Sequence, residues 1–332
     1  MKLCVIGSKE RYEKFMPECS LREETEIVYF PLNTENEEIL KSAADADVVF
    51  ADAIAKVDRD LIEGMKNLKL VHSEGVAYNG IDLVTATKQN VMVCNCKGIN
   101  KTAVAEQAIL LMLSLLRMLP EGNEAVLAGQ QIKRKEYLMV NGIEELEEQV
   151  VGLIGFGDIA KETAKRLYAF GTTVYYYSRH RMEKRIEDEY HVTYLPLEEL
   201  LHRSTMVSLH VPVTEETKEM VNQEFLNKMK DGAYLINTAR GELVENEALK
   251  AALLSGKLKG VGLDTIAPEP VTLDNPLLTM PEEAKKKLIC SPHMAGITTA
   301  TFRRGHKTMW DNASRVMKGE NPINIVNDVH KS

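Results

Sequence analysis

The run Val151-Gly152-Leu153-Ile154-Gly155-Phe156-Gly157-Asp158-Ile159-Ala160 constrains the fold more than any other part of the sequence. An apolar stretch, a turn with paired glycines and the helix-forming segment KETAKRLYAFG follow without a gap, the order of a buried strand turning directly into a helix. Gly155 permits the tight turn, Gly157 lets a phosphate approach the backbone, and small Ala160 lets the helix pack on the strand. The first N–H groups of a helix have no partner within it and favour an anion. Gly155, Phe156, Gly157, Asp158 and Ile159 are therefore expected to face a dinucleotide pyrophosphate, with Asp158 as a first-turn acid favoured by the helix dipole.

Short apolar runs recur on both sides of this turn. LCVIG, EIVYF, ADVVF, LKLVHS and VMVCN precede it, and TTVYYYS, MVSLHVP, GAYLINT, KGVGLDT and KLICSPH follow, all separated by helical or looping stretches. Such alternation predicts an α/β protein with doubly wound parallel sheets, and 332 residues are too many for one core, so two domains are expected. A helix is predicted from about Thr102 to Leu119, and the polar segment PEGNEAVLAGQQIKRKEYLMVNGIEELEE after it reads as a connecting arm without a core face. Beyond His293 the pattern returns to a helix and a final short strand, INIVN.

A formal net charge of −8 argues against a nucleic-acid partner. The longest apolar stretch, Val104 to Leu119, carries Glu106, Gln107 and Arg117 and is shorter than the roughly 20 residues a membrane span needs. No membrane association is expected, and the amino-terminal run reads as a first strand in a cytoplasmic protein. Five cysteines without CxxC pairing suggest buried reduced thiols rather than a metal centre or disulfide framework.

About twenty residues after the glycines, where an acid ordinarily binds the ribose 2′-hydroxyl, the chain has Ser178, Arg179, His180 and Arg181. Ser178 with Arg179 and Arg181 would suit a 2′-phosphate, which favours NADP(H). Solvated arginines on an NAD(H) enzyme are the alternative.

Three later segments at predicted strand ends supply a cation, an acid and an imidazole: Arg240 in NTARG, Glu269 in LDTIAPEP and His293 in SPHMAG. Reduction of a 2-keto acid needs a hydride donor, a proton donor for the developing alkoxide, and a positive group to hold the carboxylate and polarise the carbonyl. Arg240, Glu269 and His293 meet the last two needs, with Glu269 orienting the imidazole. Singly, each residue reads as an ordinary surface or loop group. Their shared placement at strand ends, where ligands of open α/β sheets gather, points to catalysis.

These segments, with HSEGVAYNGID, NKTAVAEQAILLMLSLLR and SLHVPVTEETKEMVN, resemble the D-isomer-specific 2-hydroxyacid dehydrogenases along nearly the whole chain. The resemblance implies a Rossmann-type cofactor domain, 101–297, and a flavodoxin-like substrate domain made of 1–100 and 298–332. It implies that Thr238, Ala239 and Asp264 line the nicotinamide side, with Asp264 holding the carboxamide and Gly296 nearby, while His210, Val211, Pro212 and Thr217 flank the dinucleotide. Gly75 and Val76, with Ser73 and Glu74 beside them, resemble the loop that receives the substrate carboxylate on backbone N–H groups. A homodimer joined through the helix from Thr102, and domain closure over the substrate, are also implied. Gln107, Ala160, Ser178 and Asp158 depart from the family pattern, in which the first is often a histidine, the second a glycine and the third an acid. The alternatives are an NAD-dependent D-2-hydroxyacid or phosphoglycerate dehydrogenase and a dinucleotide-sensing binding protein without turnover.

Overall fold

In the computed structural model, which describes residues 1–330, the chain divides into two compact units, Met1–Asn100 with Ile297–Ser332, and Lys101–Gly296. The first unit holds a five-stranded sheet of β1 (Lys2–Ile6), β2 (Glu26–Phe30), β3 (Val48–Ala51), β4 (Leu70–Ser73) and β5 (Met92–Cys94), in the order β2-β1-β3-β4-β5. All of its pairings are parallel. Cys4, Ile6, Val49, Val71 and Val93 enter one core, while Leu3, Val5, Val48, Phe50, Leu70 and Met92 enter another. Burial on both faces explains why these strands read as unbroken apolar runs. Met309, Trp310, Ala313 and Val316 of the helix Thr299–Met317 complete the second core, each large side chain contributing about 1.5–3 kcal/mol.

The second unit has seven parallel strands: β6 (Val150–Ile154), β7 (Thr173–Tyr177), β8 (Thr193–Tyr194), β9 (Met206–Leu209), β10 (Ala233–Asn237), β11 (Leu258–Leu263) and β12 (Leu288–Cys290). Their order is β12-β11-β10-β9-β6-β7-β8. The chain starts in the middle at β6, winds outward through β7 and β8, and returns to β9, leaving a topological switch point between β6 and β9. The helix Lys101–Leu116 is buried nearly all round, and Gly260 and Gly262 of β11 allow it to lie close. A Cβ on either glycine would come within 3.0 Å of Leu115 or Leu111.

The polar segment read as a connecting arm without a core face is helical, Leu119–Leu127 and Gln131–Asn141, with no buried residue in either helix. Two expectations change. INIVN forms no strand. It makes one antiparallel bridge, Ile325 to Cys94, while the Asn327 side chain satisfies Val93 N–H and Val91 C=O in place of a backbone ladder. All five cysteines are free, but only Cys4, Cys94 and Cys96 are buried, Cys19 being partly covered and Cys290 exposed. Among the described residues no single helix is long and apolar enough to cross a membrane, and no group of three or more His, Cys, Asp or Glu could hold a metal ion.

Candidate active site

At the switch point of the second unit, β6 ends in Gly155, whose φ of 90° lies in the left-handed region. A Cβ there would sit 2.4 Å from the His210 carbonyl oxygen, so only glycine lets the turn pass this close to the end of β9. Gly157 differs. It is exposed at the N-cap of the helix Asp158–Ala169, and nothing lies within 4 Å of where its Cβ would be. The open space faces the start of a helix whose first internal acceptor is the Gly157 carbonyl, bonded by Lys161 N–H. Among the described residues the earlier N–H groups of this helix have no acceptor, which is the arrangement a pyrophosphate requires.

The neighbouring strand ends are shaped by short hydrogen bonds. Asn237, fully buried, accepts from Ala239 N–H at 2.9 Å and donates to the Arg240 carbonyl at 2.7 Å, fixing the turn that presents Arg240. The Arg240 guanidinium is exposed and donates to the Ala239 carbonyl. A Cβ on Gly241 would fall 2.2 Å from Ala267 N, so this turn packs directly on the loop leading to Glu269. The Thr238 hydroxyl is buried without a partner, an unsatisfied group suited to a polar ligand. His210 places Nε2 2.9 Å from Ser208 Oγ, and burial lowers its pKa to about 4, so it is neutral.

Glu269 and His293 meet. His293 Nδ1 lies 2.9 Å from Glu269 Oε2, with both side chains about half exposed. Among the described residues, no protein group bonds the other ring nitrogen, Nε2. His293 itself has φ 52°, unusual for a side chain of this size. Its turn is held by Asp264, whose Oδ1 accepts from Met294 N–H at 3.0 Å and Oδ2 from Ala295 N–H at 2.9 Å, while its carbonyl accepts from His293 N–H. Asp264 is thus a scaffold for the histidine turn as well as the expected carboxamide partner. Gly296 closes the same segment.

Some expected contacts are spent elsewhere. Arg181 binds Glu187 through Nε and Nη2 at 2.8 and 2.9 Å, and this pairing holds the buried carboxyl below its usual range. That engagement argues against Arg181 as a 2′-phosphate ligand, leaving Arg179, which makes no hydrogen bond or ion pair among the described residues and feels only the charge of Glu216. Ser178 Oγ donates to the His180 carbonyl. Thr217 donates to the Pro212 carbonyl and accepts from Thr214 N–H, both at 2.7 Å, so its hydroxyl serves its own loop beside Val211 and Pro212.

In the first unit, the loop after β4 is built on Ser73, whose Oγ donates to the Ala77 carbonyl and accepts from Gly75 N–H. A Cβ on Gly75 would lie 2.7 Å from that of Ala53. The N–H groups of Val76 and Ala77 have no acceptor among the described residues. Glu74 is not a surface contact: its carboxylate is buried, bound by Arg11 and by His306 Nε2 at 2.8 Å. Arg11 also pairs with Asp52. Arg11 and His306 had no local motif to mark them, while Asn237 lay inside the NTARG segment without a role assigned to it.

A parallel sheet with its first strand central, a glycine turn at the switch point and an open helix N-terminus define a dinucleotide-binding oxidoreductase domain. Comparison with known proteins specifies the class further. The family model described as "D-isomer specific 2-hydroxyacid dehydrogenase, NAD binding domain" matches residues 109–295. Glyoxylate reductase from Thermofilum pendens is 35% identical over 294 residues, 88% of this chain and 84% of that protein. Hydroxypyruvate reductase from Thermotoga maritima is 34% identical over 289 residues, 85% of this chain and 88% of that protein. D-lactate dehydrogenase with NAD+ from Lactobacillus jensenii superposes with a TM-score of 0.83 at 25% identity, covering 98% of this chain and all of that one. The chain belongs to the D-isomer specific 2-hydroxyacid dehydrogenase family and is an oxidoreductase that uses a nicotinamide cofactor.

Proposed function

We propose that the protein reduces a small 2-keto acid to its D-2-hydroxy acid with NADP(H), and that Arg240, Glu269 and His293 are its catalytic group. The observation that carries this reading is the 2.9 Å pairing of His293 Nδ1 with Glu269, which leaves Nε2 available beside the ends of a dinucleotide-binding sheet. When bound, the nicotinamide supplies or takes up the hydride. His293 Nε2 gives the proton to the developing alkoxide in reduction and accepts it in oxidation, while Glu269 fixes the orientation of the ring. Arg240 holds the carboxylate and polarises the carbonyl.

The glycine turn at 155–159 is assigned to the pyrophosphate, and Thr238, Ala239 and Asp264 to the nicotinamide side. His210, Val211 and Pro212 are assigned to the dinucleotide's flank. Ser73, Gly75 and Val76 are assigned to substrate-carboxylate recognition through the free N–H groups of their loop. The preference for NADP(H) is supported by the absence of an acid directly after β7, where Ser178, Arg179, His180 and Arg181 stand, and by Arg179, whose guanidinium is held in no hydrogen bond among the described residues. A homodimer is part of this reading; the helix Lys101–Leu116, expected from the resemblance to join it, is buried nearly all round within its own unit, so the exposed apolar side chains of the two following arm helices are taken as the joining surface. Unpaired thiols suit a reducing compartment such as the cytoplasm.

The test is steady-state turnover of glyoxylate, hydroxypyruvate and larger 2-keto acids with NADPH and NADH. Preferential turnover with NADPH is expected, and equal or better efficiency with NADH overturns the cofactor assignment. His293→Ala should lower kcat by about 10²–10⁴ with cofactor affinity nearly unchanged. Undiminished turnover in that variant rejects the role of His293, and cofactor binding without turnover in the wild type supports a sensor instead.

A further inference from the structure

Gln107 sits on the buried helix Lys101–Leu116 and is itself buried. Its Nε2 donates to Ser291 Oγ at 2.9 Å, and Ser291 Oγ donates to Asp264 Oδ1 at 2.5 Å. A serine hydroxyl carries one proton, so accepting from Gln107 leaves that proton directed at Asp264. The order of donors is therefore set at Gln107. Asp264, buried without a basic partner, is held by the Ser291 hydroxyl and by the N–H groups of Met294 and Ala295. A carboxylate offers about four acceptor positions. With Oδ1 taking two donors and Oδ2 one, the position left open is on Oδ2.

We propose that Gln107 is a positioning residue for the nicotinamide side of the site. Through Ser291 it fixes which oxygen of Asp264 stays free to accept from the cofactor's carboxamide, and it steadies the turn that presents His293. The proposal rests on the roles given above to Asp264 and His293. A histidine ring N–H at position 107 could make the same donation.

The experiment measures dissociation constants for NADPH and NADH by fluorescence, and for ADP-ribose and its 2′-phosphate, which lack nicotinamide, by calorimetry. Wild type is compared with Gln107→Leu, Gln107→Glu, Gln107→His and Ser291→Ala. An ionised glutamate cannot donate, so it would draw the Ser291 proton away from Asp264. Gln107→Glu, Gln107→Leu and Ser291→Ala should each weaken the reduced dinucleotides about tenfold or more and leave the ribose ligands unchanged. Gln107→His should stay within about threefold of wild type.

Unchanged dinucleotide affinity in the folded variants overturns the proposal, as does an equal loss for the ribose ligands. Should Gln107→Glu fail to fold, Ser291→Ala, which removes only the hydroxyl, decides between the same outcomes. A wild type that turns over no 2-keto acid would instead defeat the catalytic reading, while these binding ratios would still judge Gln107.

Discussion

Two glycines of one turn do different work. Gly155 is required by the fold, because its positive φ and the His210 carbonyl 2.4 Å from any Cβ leave no room for a side chain. Gly157 has ordinary backbone angles and open space above it, so what it spares is a ligand. Gly155→Ala should cost about 3 kcal/mol in denaturant unfolding. Gly157→Ala should unfold like wild type yet bind dinucleotide about tenfold or more weakly. Equal behaviour of the two variants would refute this division. Both glycines were legible in the sequence because strand, turn and helix are contiguous. Glu74 was expected beside the substrate loop, and its carboxylate is taken by Arg11 and His306, partners 63 and 232 residues away that no local motif could show. Arg181 was expected at a 2′-phosphate, and its guanidinium is taken by Glu187, six residues on in the next helix.

At the level of elements, strands buried on both faces announce themselves as apolar runs, and of the short runs singled out in the sequence all but INIVN are strands. The arm helices gave no such signal. They bury nothing within the chain, so neither shows the apolar stripe that marks a core-facing helix. Their apolar side chains are instead strongly exposed, Leu127 at 81% and Val140 at 86%. A large exposed apolar surface is ordinarily covered by association. On the dimer proposed above, Leu127→Glu with Val140→Glu should yield a monomer in light scattering coupled to gel filtration where the wild type yields a dimer. A wild type that is monomeric at micromolar concentration would remove the arm helices from the dimer reading.

For the molecule as a whole, acid is the expected weakness. His72 is fully buried with its tautomer fixed: Nδ1–H donates to the Ser73 carbonyl at 2.8 Å, and Nε2 accepts from Asn312 at 3.0 Å. Burial lowers its pKa from 6.5 to about 4. The unfolded chain therefore binds the proton first as pH falls, so stability is full above about pH 6.5 and is lost progressively towards pH 4, by about 3 kcal/mol from this one group. Burial lowers His210 in the other unit in the same direction. Unfolding curves between pH 7 and pH 4.5 check this. In His72→Gln the dependence should shrink, and a slope identical to wild type would exclude His72 as a source.

The first sheet leaves one face only partly covered, by Tyr12 and its neighbours, until the helix Thr299–Met317 arrives, and the whole second unit lies between them in the chain. On a ribosome, the later-encoded unit can therefore be complete while Leu3, Val5, Phe50 and Leu70 still await Trp310. At ordinary elongation rates that interval lasts on the order of ten seconds. During it the nascent sheet is the sticky part of the molecule, the place for a chaperone to hold, and a chain stopped short at Gly296 would never leave that state.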